Sequence, residues 1–133
     1  QWGCTGLFIS PGSWPSPYGL GASHTQIIVN SCLAPKSAAL ACHDLNANGL
    51  EDWYLPSSDE AVEMNRQIGF GAAQDGANPA NDNIGNFHTG HYWTSSQVSN
   101  TSARAIEMDE YPVTNYMYKV SYFRVRPIRM FTY

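Results

Sequence analysis

The hydrophobic period of this chain changes partway along, and that change constrains the fold more than any other feature. Before about residue 70 the apolar residues recur at helical spacing, and after about residue 90 they alternate. The helical spacing predicts two short helices, over about 37–47 and 57–67. The alternation predicts strands at 92–96 and 103–108 and a third strand over 116–126. Helices followed by an antiparallel sheet make the expected class α+β.

The start of the second helix carries the strongest local signal. Ser57, Ser58, Asp59 and Glu60 form a capping box, in which Ser57 caps the helix and Glu60 reaches back to it. Pro56 closes a short extended piece just before this box. Residues 1–25 and 69–90 are rich in small, polar and turn-forming residues, so we expect long ordered loops there.

Length and composition favour a single folded domain over residues 1–133. The chain is 43% hydrophobic and 14% charged, which suits a packed core and argues against disorder. Its longest aliphatic run is Ile27-Ile28-Val29. We therefore expect no membrane span, which would need about 20 apolar residues.

Charge is distributed unevenly along the chain. Residues 1–110 hold all eleven acidic residues and three basic ones, a net of −8, whereas residues 111–133 hold four basic residues and no acid. The basic tail also carries five tyrosines, which suggests an anionic or carbohydrate partner. The overall charge of −4 disfavours nucleic acid. In an alternative interpretation, the arginines pair with carboxylates of the body and serve stability.

Alternation along the third predicted strand divides the tail into two faces. Phe123 and Val125 are the better core candidates, so the opposite face should point outward. Lys119 is out of register with that face, but a bend near the start of the strand could redirect it. The candidate ligand-binding residues are Tyr118, Lys119, Tyr122, Arg124 and Arg126.

The three cysteines have no zinc-motif spacing, so one disulfide and one thiol are the simplest arrangement in an exported protein. Cys42 shares an apolar helical stripe with Ala38 and Leu45, which favours a buried, reduced thiol. The favoured pair is then Cys4 with Cys32, and Cys32 with Cys42 is the alternative.

No constellation of residues points to catalysis, so we expect a protein that is not an enzyme and that needs no cofactor. Asp44-x-Asn46-x-Asn48-Gly49 resembles the start of a calcium loop. Leu55 occupies the position where an EF-hand needs a bidentate glutamate, so the loop is incomplete. Calcium binding there stays open, and no other metal site is expected.

Several motifs resemble one known family. NANGLEDWYLPSSDE, from Asn46 to Glu60, resembles the "NG-x-x-DW-x-LPS-x-DE" signature of the Lcl C-terminal family, named for the domain at the end of the Legionella collagen-like protein. Further motifs of that family occur in the same order: Trp2-Gly3-Cys4-x-Gly6, Thr25-x-x-Ile28-Val29-x-x-Cys32, Ala38-Ala39-x-x-Cys42, Tyr92-Trp93-Thr94-Ser95-Ser96 and Val125-Arg126-Pro127-Ile128-Arg129.

The resemblance implies a C-type-lectin-like domain excised from a longer collagen-like protein. It further implies a secreted or cell-surface bacterial adhesin that forms a homotrimer, binds sulfated glycosaminoglycans such as heparin, and contributes to host attachment and biofilm. An alternative is a structural trimerisation cap for a fibrous stalk, without a ligand of its own. The motif residues with an expected structural role are Trp53, Leu55, Pro56, Ser57, Glu60, Trp93 and Arg129.

Overall fold

A computed structural model describes residues 1–9, 18–32, 34–72 and 83–131. Three α-helices come first, α1 (Gly21–Ser31), α2 (Ala38–His43) and α3 (Ser58–Ile68), followed by a 3-10 turn, Phe70–Ala72. Three strands follow, β1 (Gly90–Gln97), β2 (Ser102–Met108) and β3 (Val113–Tyr118). The α+β class is therefore confirmed. No helix within the described ranges is long and apolar enough to cross a membrane.

The strands form one open antiparallel sheet in the order β1-β2-β3. Trp93 pairs with Ala105, which pairs in turn with Asn115, and the register of β1 against β2 shifts between Trp93 and Gln97. Helices cover both faces of this sheet. Residues that alternate along β1 and β2 belong to two different core clusters, one packed with α1 and α2 and the other with α3.

The larger cluster contains two buried tryptophans, Trp2 and Trp93. Trp2 donates its indole N–H to Thr94 O at 2.9 Å, and the ring centre of Trp93 lies 4.8 Å from that of Phe123. The smaller cluster packs Ala61 of α3 against residues on the other face of the sheet. Those partners are Phe87, Tyr92, Ile106 and Met108.

Helix α1 corrects the prediction of two helices, because the sequence indicated a loop to residue 25 and an apolar segment at 26–29. The β-branched run Ile27-Ile28-Val29 has weak helix propensity. Packing outweighs that propensity, since Thr25 and Ile28 are buried on one side of the helix, where Leu55 N donates to Thr25 Oγ1 at 2.9 Å.

The other two helices lie where the sequence placed them, with one boundary changed. Helix α2 ends at His43, four residues before the predicted end, and Asn48 and Gly49 then form a turn with positive φ. Helix α3 has the complete predicted capping box. One Glu60 oxygen accepts from Ser57 N at 2.8 Å, while the other accepts from Gly19 N at 2.8 Å and so attaches the start of α1 to α3.

The third strand is shorter than predicted. Strand β3 ends at Tyr118, and the chain then turns, with Ser121 N donating to Tyr118 O. It continues on the opposite edge of the sheet, where Trp93 N donates to Arg124 O at 2.9 Å and Arg124 N to His91 O at 3.2 Å. The alternation over 116–126 therefore spans two separate segments, so the prediction of one continuous strand is wrong.

Cys4 and Cys32 form the disulfide, and Cys42 is a buried thiol. The bond attaches the N-terminal segment to the end of α1, 28 residues apart in sequence. Of the two predicted loops, residues 10–17 and 73–82 lie outside the described residues.

Candidate functional site

Lys119 does not lie on an exposed surface, so the expectation that a bend turns it to the outer face of the tail is wrong. Its side chain is fully buried and donates to Gln97 Oε1 at 2.8 Å and to Leu7 O at 3.1 Å. The ammonium also lies 4.4 Å from the centre of the Trp2 ring. Burial lowers the pKa of Lys119 to about 8. The turn after β3 directs this lysine inward, so it joins the core to the N-terminal segment.

Three of the predicted ligand-binding residues are exposed. Tyr118 is 71% and Tyr122 82% exposed, and Arg124 is exposed as well. No side-chain hydrogen bond or ion pair of Arg124 is seen within the described part of the chain. The guanidinium is therefore open to an external anion.

A second arginine lies beside the tyrosines of β3. Arg104 on β2 pairs in register with Tyr116, and its guanidinium carbon lies 5.2 Å from the centre of the Tyr116 ring. Tyr116 and Tyr118 are two residues apart on one strand, so their rings point to the same face. No carboxylate pairs with Arg104 among the described residues. This basic and aromatic patch was not a predicted site, since it depends on the β2–β3 register.

The two arginines lie on different strands of the sheet, Arg104 on the central strand β2 and Arg124 in the segment beside β1. Arg124 pairs with Tyr92, and Tyr92 pairs with Ile106 of β2, two residues from Arg104. Two strand spacings of about 4.8 Å and two residues along the strand put Arg124 roughly 12 Å from Arg104. An anionic chain, but not a single small anion, could contact both.

Arg126 and Arg129 line a groove on the α3 side of the molecule, with a volume of about 460 Å³. Arg126 donates to Gly85 O at 2.9 Å, and its guanidinium lies 4.1 Å from the Phe87 ring centre. Arg129 donates to both carboxylate oxygens of Asp52, at 2.7 and 2.9 Å. The hydrogen bonds with Arg129 lower the pKa of Asp52. We call this cavity the arginine groove; its lining residues are Leu50, Trp53, Met64, Ile68, Arg126, Pro127, Ile128, Arg129 and Phe131.

A smaller cleft of about 220 Å³ lies between α1 and residues 51–54. Its acidic side chains are Glu51, which accepts from Asn46, and the paired Asp52. Asp44 of the incomplete calcium loop binds His43 at 2.9 Å, and Asn48 lies in the following turn. No group of three metal-ligating side chains is found in the described ranges.

Two buried groups could be mistaken for catalytic ones. His24 Nδ1 lies 3.1 Å from Ser95 Oγ, but both residues are buried, and burial lowers the pKa of His24 to about 4. Burial also raises the pKa of the Cys42 thiol to about 12, which keeps it protonated. Neither group presents a nucleophile to solvent.

The motif residues with expected structural roles lie at junctions between elements. Leu55 is fully buried, and Pro56 O accepts from Ser95 N at 2.8 Å, which joins this segment to β1. Trp53 donates its indole N–H to Leu50 O and contacts Arg129, at 5.9 Å from the ring centre. These contacts connect the motif between residues 46 and 60 to the sheet and to the C-terminal segment.

No protein-family model, curated protein or solved structure matches this chain. The resemblance to the Lcl C-terminal family therefore depends on its motif residues alone.

Proposed function

We propose that this domain has a C-type-lectin-like fold and belongs to a secreted or surface-bound bacterial adhesin. Its ligands are sulfated glycosaminoglycans or related anionic polysaccharides. The observation that carries the proposal is that Arg124 is exposed and Arg104 partly exposed, and that the described residues provide neither with a carboxylate partner. Guanidinium groups bind sulfate with paired hydrogen bonds, and the exposed rings of Tyr116, Tyr118 and Tyr122 can stack on sugar faces.

The proposed binding surface omits two of the predicted residues and adds two others, Arg104 and Tyr116. Lys119 is excluded by burial, and Arg126 contributes less because it is half-buried and bound to Gly85 O. The surface therefore consists of two patches, Arg104 with Tyr116 and Tyr118, and Tyr122 with Arg124. The separation of the patches across the strands suits a linear polyanion.

Two arginines without a carboxylate partner among the described residues make weak binding by one chain the expected result. In the homotrimer that we propose, three copies of the surface would act together, and avidity could exceed the single-site affinity by roughly 10²–10⁴. This arrangement would suit attachment to a repetitive polysaccharide during host adhesion or biofilm growth.

Heparin chromatography of matched arginine variants tests the proposal. We expect Arg124→Ala and Arg104→Ala each to weaken binding by roughly 1 kcal/mol or more per site, with little change in melting temperature. Arg66→Ala is the control, because it removes the same charge from an arginine paired with Glu63 on α3. No heparin retention of the unmodified protein at low salt, or equal losses for all three variants, would contradict the proposal.

The open edge of β3 supports a second candidate, a structural trimerisation cap without a ligand. Among the described residues, no strand pairs with that edge, and natural proteins normally protect such edges. Under this reading Tyr118 lies between chains. Tyr118→Glu should then abolish the trimer in sedimentation experiments, whereas an unchanged trimer would exclude Tyr118 from the interface.

A further inference from the structure

We propose that the arginine groove binds a small amphipathic anion, with its carboxylate or sulfate at Arg126 and its apolar body against α3. This inference is independent of polysaccharide binding and concerns a different surface. A volume of about 460 Å³ lies within the usual range for small-molecule clefts, roughly 300–1,000 Å³.

The walls of the groove determine the apolar part of the ligand. Met64 and Ile68 lie four residues apart on α3 and so form one stripe along that helix. Ile128, Leu50 and Phe131 add apolar surface to the lining from outside α3. An aliphatic chain or an aromatic ring would remove apolar surface on both walls from water.

The charges of the groove determine the polar part of the ligand. Among the described residues, its lining includes two arginines and no carboxylate. Asp52 offsets the charge of Arg129, whereas the partners of Arg126 in the described ranges are a backbone carbonyl and the face of Phe87. Arg126 therefore keeps both an uncompensated charge and further N–H donors, and an anionic head group complements it.

The part of the groove formed by the C-terminal segment is held in place before any ligand binds. Tyr54 N donates to Ile128 O at 2.8 Å, and Ile128 N donates to Tyr54 O at 3.0 Å. These bonds fix the C-terminal segment to the segment that carries Trp53. The contacts with Gly85 and Phe87 likewise orient the Arg126 guanidinium. Such preorganisation lowers the ordering cost of binding.

Methionine-methyl NMR with decanoate as the probe locates the ligand, because the four methionines sample different parts of the molecule. Met64 lines the groove, Met108 is buried beneath α3, and Met117 packs on the other face of the sheet. We expect decanoate to shift the Met64 signal saturably and to leave those of Met108 and Met117 in place. Decanol, which lacks the charge, should bind at least about fivefold more weakly.

Charge-matched variants of the C-terminal segment identify the anion-binding residue. Arg126→Met should weaken decanoate binding about tenfold, the scale of one charge-assisted contact. Arg124→Met removes the same charge two residues away, outside the groove, and should have no effect. Ile68→Asp keeps the test decisive if Arg126→Met does not fold, because a carboxylate on the apolar wall should also abolish binding.

Three outcomes would overturn the inference: no saturable Met64 shift, equal binding of decanol and decanoate, or an equal loss for Arg124→Met and Arg126→Met. Heparin retention reports on the other surface. The two proposals can therefore fail separately. Absent heparin retention with a saturable Met64 shift would contradict only polysaccharide binding, and heparin retention without that shift would contradict only ligand binding in the arginine groove.

Discussion

Replacing Lys119 with methionine removes a buried ammonium and keeps most of the side chain's length. In the native protein that ammonium donates to Gln97 and Leu7 and lies over the Trp2 ring. The substitution therefore separates a structural role from a role in anion binding.

Two opposing effects determine the magnitude. Burial lowers the pKa of Lys119 to about 8, so the native state is destabilised by desolvation of the charge, and methionine relieves that cost. Against this, the Leu7 carbonyl loses the ammonium donor, while Gln97 Oε1 still accepts from Ile9 N at 3.1 Å. A buried acceptor without its partner costs roughly 1–3 kcal/mol, and the lost cation–π contact adds about 1–2 kcal/mol. We expect a net loss of about 2 kcal/mol in the free energy of unfolding.

Urea and thermal unfolding measure this loss beside heparin retention. A loss of about 2 kcal/mol corresponds to a melting temperature lower by roughly 5–10 °C for a domain of this size. Lys36→Met is the matched control, since Lys36 is exposed, and it should change stability by less than about 0.5 kcal/mol. Unchanged melting of Lys119→Met together with lost heparin retention would refute the reasoning, because Lys119 would then be a surface ligand.

Three further perturbations test the core. Buried His24 has a pKa of about 4 in the folded protein, whereas its pKa in the unfolded chain is about 6.5. As the pH falls from about 6.5 to about 4, His24 is therefore protonated in the unfolded chain but not in the folded one, and stability should fall by up to about 3 kcal/mol. Urea midpoints that stay flat over this range would contradict that reading. Replacing Cys4 and Cys32 together with alanine should cost about 3–4 kcal/mol for the 28-residue separation, measured by urea unfolding; a loss below about 1 kcal/mol would count against it. Ser57→Ala removes the cap of Glu60 N and should cost roughly 1–2 kcal/mol in thermal melts, whereas unchanged melting would show that the cap contributes little.

Features set by short-range chemistry could be predicted from the sequence. The capping box of α3 needs only Ser57 and Glu60 three residues apart, and both of its hydrogen bonds are present. The first two strands were also predictable, because each is one short continuous segment and the two pair directly with each other as antiparallel neighbours. Cys42 could be assigned to the core because its helical stripe is local.

Features decided by tertiary contacts could not be predicted in this way. Helix α1 contains three consecutive β-branched residues, and it is helical because Ile28 and Thr25 pack into the core. The end of β3 at Tyr118 had no clear local signal, because the alternation continues through Lys119 in the sequence. The contact that turns Lys119 inward is its hydrogen bond to the Leu7 carbonyl, 112 residues away. The Arg104–Tyr116 contact likewise depends on strand register.

The charge of the C-terminal segment shows why composition alone overstates a binding site. Of its four basic residues, Lys119 is buried, Arg129 pairs with Asp52, and Arg126 faces the arginine groove. The interpretation that the arginines pair with carboxylates of the body therefore holds for Arg129, and binding of an external anion by the others stays a prediction. In the described part of the chain, Arg124 is the basic residue of this segment that is exposed and has no side-chain partner, and Arg104 on β2 adds a second, partly exposed guanidinium. Because two such arginines per chain give weak electrostatic attraction that salt screens further, tight adhesion by this domain would require several copies acting at once.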